Sequence, residues 1–96
     1  MKKIFDDVSI NCSRITTRAY STSFSLGIQL LDSSLRNSIH SIYGYVRFAD
    51  EIVDSFHDFN KKELLEKFRK DTFVAIEEGI SLNPIINSFI HPSHQL

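Results

Sequence analysis

Tyr43-Gly-Tyr-Val-Arg47-Phe-Ala-Asp50-Glu-Ile-Val-Asp54 is the central stretch of the chain. An α-helix has 3.6 residues per turn, so steps of four, three and four bring four of these side chains onto one face: Tyr43, Arg47, Asp50 and Asp54. Two carboxylates one turn apart repel each other by roughly 0.2–0.5 kcal/mol on an isolated helix. A helix that concentrates acid in this way is typical of a cation site, so the pattern predicts that Asp50 and Asp54 face a bound cation.

The same periodicity extends this helix from Ser34 to about Phe56. Its apolar residues form two stripes, the first made of Leu35, Ile39, Ile42, Val46, Ala49, Val53 and Phe56, and the second of Tyr45, Phe48 and Ile52. Only a narrow line is left to face solvent, which consists of Asn37, Gly44, Glu51 and Asp58. A helix with so little polar surface is typical of the middle of a large helical assembly.

Helical periodicity covers nearly the whole chain, and no alternating run indicates a strand, so we predict an all-α fold. A first helix is predicted from Phe5 to about Arg18, with Phe5, Val8, Cys12 and Ile15 on one side. A short apolar segment follows at Phe24 to Leu31, and Asp32-Ser-Ser is predicted to cap the long helix. Two further helices are predicted to begin at a capping box, Asn60-Lys-Lys-Glu63, and at Asn83-Pro84, the former helix ending near Gly79.

Composition restricts the class of protein. The 96 residues suit one small domain, and the net charge of −1 provides no electrostatic footprint for nucleic acid. The single cysteine, Cys12, excludes an internal disulfide and suits a reducing compartment. No secretion signal or run of about 18 apolar residues is present. We therefore expect a cytoplasmic protein without nucleic-acid partners.

The last helix begins at Asn83-Pro84 and is soon followed by His91-Pro92. Proline disfavours helical geometry at the residue before it, so this helix is expected to be short. Because the last helix is short, little of the chain is left to cover the two apolar stripes of the long helix, which need more packing partners than 96 residues supply. We expect residues 1–96 to be the N-terminal part of a larger helical domain, apparently truncated, with an atypical tail from His91 to Leu96.

Three blocks of the sequence resemble the squalene/phytoene synthase family. They are Tyr20-Ser-Thr-Ser-Phe-Ser-Leu-Gly27, Ile42-Tyr-Gly-Tyr-Val-Arg47 and Ala49-Asp-Glu-Ile-Val-Asp54, the last of which is similar to the family's first D-x-x-x-D motif. The resemblance extends from about Phe5 to Phe89 and is closest to bacterial phytoene synthases. It implies the N-terminal helices of an isoprenoid synthase fold, which encloses a central cavity.

The resemblance also implies an activity and a set of residue roles. Such enzymes join two prenyl diphosphates head to head, and a phytoene synthase joins two geranylgeranyl diphosphates in carotenoid biosynthesis. Asp50 and Asp54 would bind Mg²⁺, or Mn²⁺ in its place, and Arg47 and Tyr43 would act as catalytic residues that contact the diphosphate. The other side of the substrate pocket would be lined by Tyr20, Ser21, Thr22 and Ser23, with Phe24 close to the prenyl chain.

The sequence departs from this family pattern in one respect. The second acidic motif of the family has no counterpart after Asp58, so the resemblance implies that this chain alone is inactive. Squalene and dehydrosqualene synthases remain alternatives, because the sequence fixes neither prenyl chain length nor product. Apolar substrates are compatible with peripheral contact with a membrane, and the oligomeric state stays open.

Simpler interpretations of the same residues remain. Asp50 and Asp54 could form a solvated acidic patch, Arg47 could be only an i,i+3 partner of Asp50, and Ser21 and Ser23 could be only helix caps. His91 and His94 have the spacing of metal ligands, but Pro92 interrupts the helix that would align them. The chain could also be a non-enzymatic interaction module, in which case changes at Phe48 or Ile52 should abolish association and changes at the two aspartates should be neutral.

Overall fold

The computed structural model describes residues 2–91. Every regular element within them is a helix, which confirms the predicted all-α fold: α1 is Lys2–Tyr20, α2 is Thr22–Ile28, α3 is Ser33–Asp54, α4 is Lys61–Glu78 and α5 is Pro84–Ile90. None of these helices is long and apolar enough to cross a membrane. The predicted atypical tail beyond His91, including His94, lies outside the described residues.

The predicted start and stop signals of α4 and α5 are confirmed. The Asn60 side chain accepts a hydrogen bond from the backbone N–H of Glu63 at 3.1 Å, which caps α4. Gly79 ends α4 in the left-handed region, with φ of 79°, a conformation that favours glycine. The Asn83 side chain accepts from the N–H of Ile85 at 2.9 Å and so caps α5. Each side-chain cap stabilises its helix by about 1 kcal/mol.

The start of α3 is different. Asp32 occupies the predicted N-cap position, but its side chain makes no capping hydrogen bond. The approach to α3 is held instead by Arg36, whose guanidinium donates to the carbonyl oxygens of Leu31 at 3.0 Å and Gln29 at 3.2 Å. A side chain inside α3 therefore binds the last carbonyls of the preceding segment and fixes the link between α2 and α3.

Small side chains form the contact where α1, α3 and α5 meet, which we call the small-residue seam. Its members are fully or almost fully buried and consist of Ser9, Ser13 and Thr17 of α1, Ser41 and Gly44 of α3, and Ser88 of α5. Several of these hydroxyls donate to the carbonyl four residues earlier, as Thr17 does to Ser13 at 2.8 Å. Ser13 and Ser88 are joined by a hydrogen bond of 2.6 Å. The seam lets three helices approach closely without leaving buried hydroxyls unpaired.

A buried carboxylate extends the seam at the start of α1. The Asn87 amide donates to Asp6 at 2.9 Å and to Ser9 at 3.1 Å, and Lys2 donates to Asp6 at 2.8 Å. Burial, the largest influence, favours the neutral acid, but the hydrogen bonds from Lys2 and Asn87 outweigh it and hold the pKa of Asp6 below 3.8. The carboxylate is therefore charged in the folded protein and links α1 to α5.

A second, apolar cluster joins α3, α4 and α5. Its buried members are Ile52, Phe68, Ala75 and Ile86. Tyr45 of α3 stacks on Phe89 of α5, with 4.0 Å between the ring centroids, and its hydroxyl hydrogen-bonds Thr72 at 2.9 Å. Burying aromatic rings supplies much of the free energy that attaches α4 to the seam helices.

The sequence correctly predicted the helices and the inward packing of Tyr45 and Ile52 in the second stripe of α3, but not the direction of the first stripe. The first apolar stripe points outward, since Ile42 is 48% exposed and Val46 and Val53 are each 50% exposed. The predicted solvent line is wrong at Gly44, which is buried, and at Asn37 and Glu51, which are partly buried. On α1, similarly, Ile15 is 63% exposed. The reason is steric, because the close α1–α3 approach requires small residues and excludes a bulky apolar stripe.

Gly44 provides a direct test of this seam. A Cβ built on Gly44 would lie 2.9 Å from Ser13 Oγ and 3.2 Å from Ser13 Cβ, so Gly44→Ala must displace Ser13 from its bond to Ser88. Overpacking of about 1–3 kcal/mol should exceed the gain of about 0.5–1 kcal/mol from replacing a helical glycine. We expect a lower free energy of unfolding in urea.

Gly27→Ala is the matched control, because a Cβ at Gly27 has nothing within 4 Å. It should leave the free energy of unfolding unchanged or raise it by up to about 1 kcal/mol. Equal effects of the two substitutions would mean that the seam is not tightly packed.

His40 is a buried titratable group beside the seam. It is 3% exposed, and its Nδ1 has no hydrogen-bond partner in the part of the chain that the structure describes. Burial, followed by the nearby charges of Arg14 and Arg18, holds the pKa of His40 below its ordinary value of 6.5. The folded protein therefore keeps this imidazole neutral at pH values where the unfolded chain is already protonated.

This shift predicts a pH-dependent stability. As pH falls below 6.5, the unfolded chain binds a proton at His40 before the folded chain does, so the free energy of unfolding decreases until the pH reaches the lower folded pKa. Urea titrations between pH 7.5 and pH 5 should show a smaller decrease for His40→Gln than for the unaltered chain. His57→Gln, in the exposed turn after α3, controls for removing a histidine. Identical pH dependence of the unaltered chain and His40→Gln would contradict the prediction.

Candidate functional site

The end of α1, the start of α2 and the middle of α3 converge on one site. Tyr20 is the last residue of α1, Phe24 lies in the first turn of α2, and Tyr43 and Arg47 are one turn apart on α3. The Phe24 and Tyr43 rings stack with 5.1 Å between centroids. The Arg47 guanidinium lies over the Tyr20 ring, 4.8 Å from its centroid. Four of the predicted site residues are thus in direct pairwise contact.

The acidic pair lies next to this aromatic group on α3. The side chains of Asp50 and Asp54 are exposed, and neither forms an ion pair or hydrogen bond within residues 2–91. No group of three His, Cys, Asp or Glu side chains in those residues could hold a metal ion. Two free carboxylates nevertheless suit Mg²⁺, which is usually bound by one or two carboxylates together with substrate phosphates and water.

Arg47 pairs with a different carboxylate from the one the spacing suggested. Its Nη2 lies 3.3 Å from Glu51 Oε2, so the i,i+3 pairing with Asp50 is wrong and the pairing is i,i+4. The two side chains are 24% and 19% exposed. Arg47 Nε is buried and has no hydrogen-bond partner among the described residues. One donor of the guanidinium is thus engaged by Glu51 while another is left unsatisfied.

Glu51 is a site residue that the sequence analysis placed in solvent. Hydrogen bonds from the hydroxyls of Ser55 and Tyr20, opposed by desolvation and supported by Arg47, hold the pKa of Glu51 below its ordinary value of 4.5. The bond to Glu51, followed by desolvation, raises the pKa of Tyr20 above 10.0. The spacing of four residues after Arg47 was the signal that could have revealed this contact.

The hydroxyl residues between α1 and α2 have a structural role that is visible in the geometry. Ser21 is the N-cap of α2, and its Oγ accepts a hydrogen bond from the N–H of Phe24 at 3.1 Å, which confirms the helix-cap interpretation. Thr22 and Ser23 lie in the first turn of α2 with exposed side chains. The predicted contacts of all three with a substrate stay predictions.

A cleft of about 450 Å³ opens between α3 and α4 beside the Tyr20–Glu51 contact. Its wall is mainly aromatic and aliphatic, with Phe48, Ile52 and Phe68 among the lining residues. Asp50 and Asp54 do not line it, so the acidic pair and the cleft lie on different sides of α3.

His91, at the far end of α5, hydrogen-bonds through Nε2 with the carbonyl oxygen of Gly79.

A comparison with protein-family models finds one described as squalene/phytoene synthase, which matches residues 17–95. The matched region contains every residue of the candidate site described above. No curated protein and no solved structure gives a match.

The contact between Tyr20 and Glu51 can be tested by titration. Glu51→Gln removes the negative charge that disfavours the phenolate, so the pKa of Tyr20 should decrease towards 10.0. The Tyr20 phenolate is measured as the absorbance difference between each protein and its Tyr20→Phe derivative as pH is raised, with circular dichroism to confirm that the helices persist. Glu66→Gln, on the exposed face of α4, is the control. An unchanged Tyr20 titration in Glu51→Gln would show that the two groups do not interact.

Proposed function

The chain belongs to the squalene/phytoene synthase family, and we propose that within this family it is a phytoene synthase. Membership places it among the prenyltransferases of isoprenoid biosynthesis, whose reaction joins two prenyl diphosphates head to head. The narrower assignment, with two geranylgeranyl diphosphates as substrates in carotenoid biosynthesis, rests on the resemblance of the sequence as a whole to bacterial phytoene synthases. Squalene and dehydrosqualene synthases are the alternatives within the family.

The observation that carries the proposal is the convergence on α3 of a cation and two free carboxylates. Arg47 has an unsatisfied buried Nε, and Asp50 and Asp54 are exposed and unpaired among the described residues. A guanidinium binds the oxygens of a diphosphate directly by hydrogen bonds. A pair of carboxylates binds the same oxygens through a divalent cation, so the two kinds of group complement each other.

Asp50 and Asp54 would hold Mg²⁺, or Mn²⁺ in its place. When bound, the ion neutralises negative charge that develops on the departing pyrophosphate. Loss of an allylic diphosphate breaks the bond between carbon and oxygen, and the electron pair leaves with the pyrophosphate. Arg47 would stabilise that negative charge in a partly buried environment, where electrostatic interactions are stronger than in water.

The aromatic residues would serve the other product of this step, the allylic carbocation. The Phe24 and Tyr43 rings stack on each other, and the Tyr20 ring offers its π-electron face to the Arg47 guanidinium. Such faces attract cations, and apolar walls exclude the water that would quench the carbocation. We assign Phe24 to contact with the prenyl chain near its diphosphate, and Tyr43 to contact with the diphosphate, its ring stacked on Phe24. Tyr20, Ser21, Thr22 and Ser23 are assigned to the opposite wall of the pocket.

One observation favours the alternative of an interaction module. The outward stripe of α3 exposes about half of Ile42, Val46 and Val53, which is typical of a surface that binds another helix. The expected role of Ile52 in association is wrong, because Ile52 is 7% exposed and belongs to the apolar cluster. Val46 and Val53 are the positions at which such a module would be tested.

The proposal predicts Mg²⁺-dependent binding of pyrophosphate that requires both aspartates. Asp50→Asn and Asp54→Asn should each weaken this binding by about tenfold or more, because a neutral amide is a poor ligand for Mg²⁺. Both variants should remain folded, since exposed surface substitutions usually change stability by less than about 0.5 kcal/mol. Isothermal titration calorimetry with pyrophosphate, with and without Mg²⁺, measures the effect.

Asp58→Asn, in the exposed turn after α3, is the matched control and should bind as the unaltered chain does. Absence of Mg²⁺-dependent binding, or equal binding by all four proteins, would contradict the proposal. Competition by geranylgeranyl and farnesyl diphosphates then tests the substrate, and a preference for the shorter chain would contradict the phytoene assignment. Inactivity of this chain alone, a cytoplasmic location and peripheral membrane contact stay predictions.

A further inference from the structure

Glu51 lies beside two members of the candidate site at the same time. Its carboxylate accepts a hydrogen bond from Arg47 Nη2 at 3.3 Å, and it lines the same cleft as Tyr20. The Arg47 guanidinium also lies over the Tyr20 ring at 4.8 Å from its centroid. Arg47 therefore contacts both Glu51 and Tyr20, which links the end of α1 to the middle of α3.

Glu51 differs from the neighbouring Asp50 and Asp54 in its position around the helix axis and in its burial. Consecutive residues of a helix are separated by about 100° around the axis, so Glu51 is rotated by about 100° from Asp50 and by about 60° from Asp54. Its side chain is 19% exposed, and Asp50 and Asp54 are exposed. Whereas Asp50 and Asp54 are free of partners within residues 2–91, Glu51 is engaged with protein groups.

The pairing leaves Arg47 able to meet an anion. The guanidinium is planar and carries its donors in a fixed fork, so fixing Nη2 also fixes the directions of the remaining N–H groups. Of these, Nε is buried and unsatisfied among the described residues. A buried donor without an acceptor is costly, and an anion that supplied one would remove that cost.

We propose that Glu51 is a positioning residue, which orients the Arg47 guanidinium and the Tyr20 hydroxyl towards the diphosphate group of the prenyl substrate. This role rests on the proposed function. Glu51 itself touches neither substrate nor metal, and acts by restricting the conformations of the two side chains that do the binding. Binding is strengthened because the ordering of these side chains precedes the arrival of the substrate.

Electrostatics alone would give the opposite effect. A carboxylate beside an anion site repels the anion and competes with it for Arg47, so its removal should then strengthen binding. Positioning instead requires an acceptor at this place but not a charge. Glu51→Gln keeps acceptor oxygen for Arg47 and Tyr20 and removes the charge, whereas Glu51→Ala removes both, so the two variants separate the explanations.

The experiment is calorimetric titration of pyrophosphate in Mg²⁺ into the full 96-residue chain and its variants. Glu51→Ala should bind about tenfold more weakly than the unaltered chain, as expected for losing a hydrogen bond to a charged group. Glu51→Gln should bind at least as tightly as the unaltered chain. Glu66→Ala, which removes the exposed ion pair with Arg69 on α4, should show no change.

Unchanged or tighter binding by Glu51→Ala, with Asp50→Asn still weakening it, would overturn the positioning role and leave the proposed function intact. Equal weakening by Glu51→Gln and Glu51→Ala would also overturn it, since charge rather than an acceptor would then matter. If the unaltered chain binds no pyrophosphate, both the positioning role of Glu51 and the proposed function are overturned. If circular dichroism shows that Glu51→Ala has lost its helices, Glu51→Met replaces it, because Met fills similar space without a comparable acceptor.

Discussion

The close approach of α1 and α3 at Ser13 and Gly44 is the constraint on which the rest of the structure depends. Gly44 has no side chain, so the Ser13 hydroxyl can lie against α3 and still reach Ser88 of α5 at 2.6 Å. This contact fixes how α3 is rotated about its axis. Once that rotation is set, Ile52 points into the apolar cluster, Arg47 points towards Tyr20, and the acidic pair is left exposed.

Local signals in the sequence predicted the helices, but they did not predict how those helices pack against one another. Asn60, Gly79 and Asn83 act within three or four residues of their own positions, so their capping roles could be recognised without tertiary structure. The inward face of α3 depends on Ser13, thirty-one positions before Gly44 (44 − 13 = 31). Counting apolar residues was right for the stripe that contains Ile52 and wrong for the stripe that contains Val46, because the seam is packed by small polar residues and not by large apolar ones.

The candidate site also combines features that nearby residues determine with features that depend on contacts between distant parts of the chain. The structure brings Phe24 against Tyr43 and Arg47 over Tyr20, and the contacts of these residues with a substrate stay predictions. Glu51 was missed because its role depends on Tyr20, which α1 brings to it from another part of the chain. The spacing of Asp50 and Asp54 could be read from the sequence because both lie on one helix, and their binding of a metal ion stays a prediction. Contacts between distant parts of the chain are thus harder to predict than the spacing of residues along one helix.

The network around Asn87 has a consequence for the order of folding. Asn87 is bonded to Asp6, and these two residues are separated by 81 positions. Contacts of such large sequence separation form late, because a long loop must be closed before they stabilise anything. The part of α1 that packs on α5 can therefore be covered only after α5 has been made, whereas the part that packs on α3 can be covered earlier. The serine and threonine hydroxyls on this side of α1 can be hydrated before α5 covers them. Large apolar residues at the same positions would expose hydrophobic surface and promote aggregation of the nascent chain.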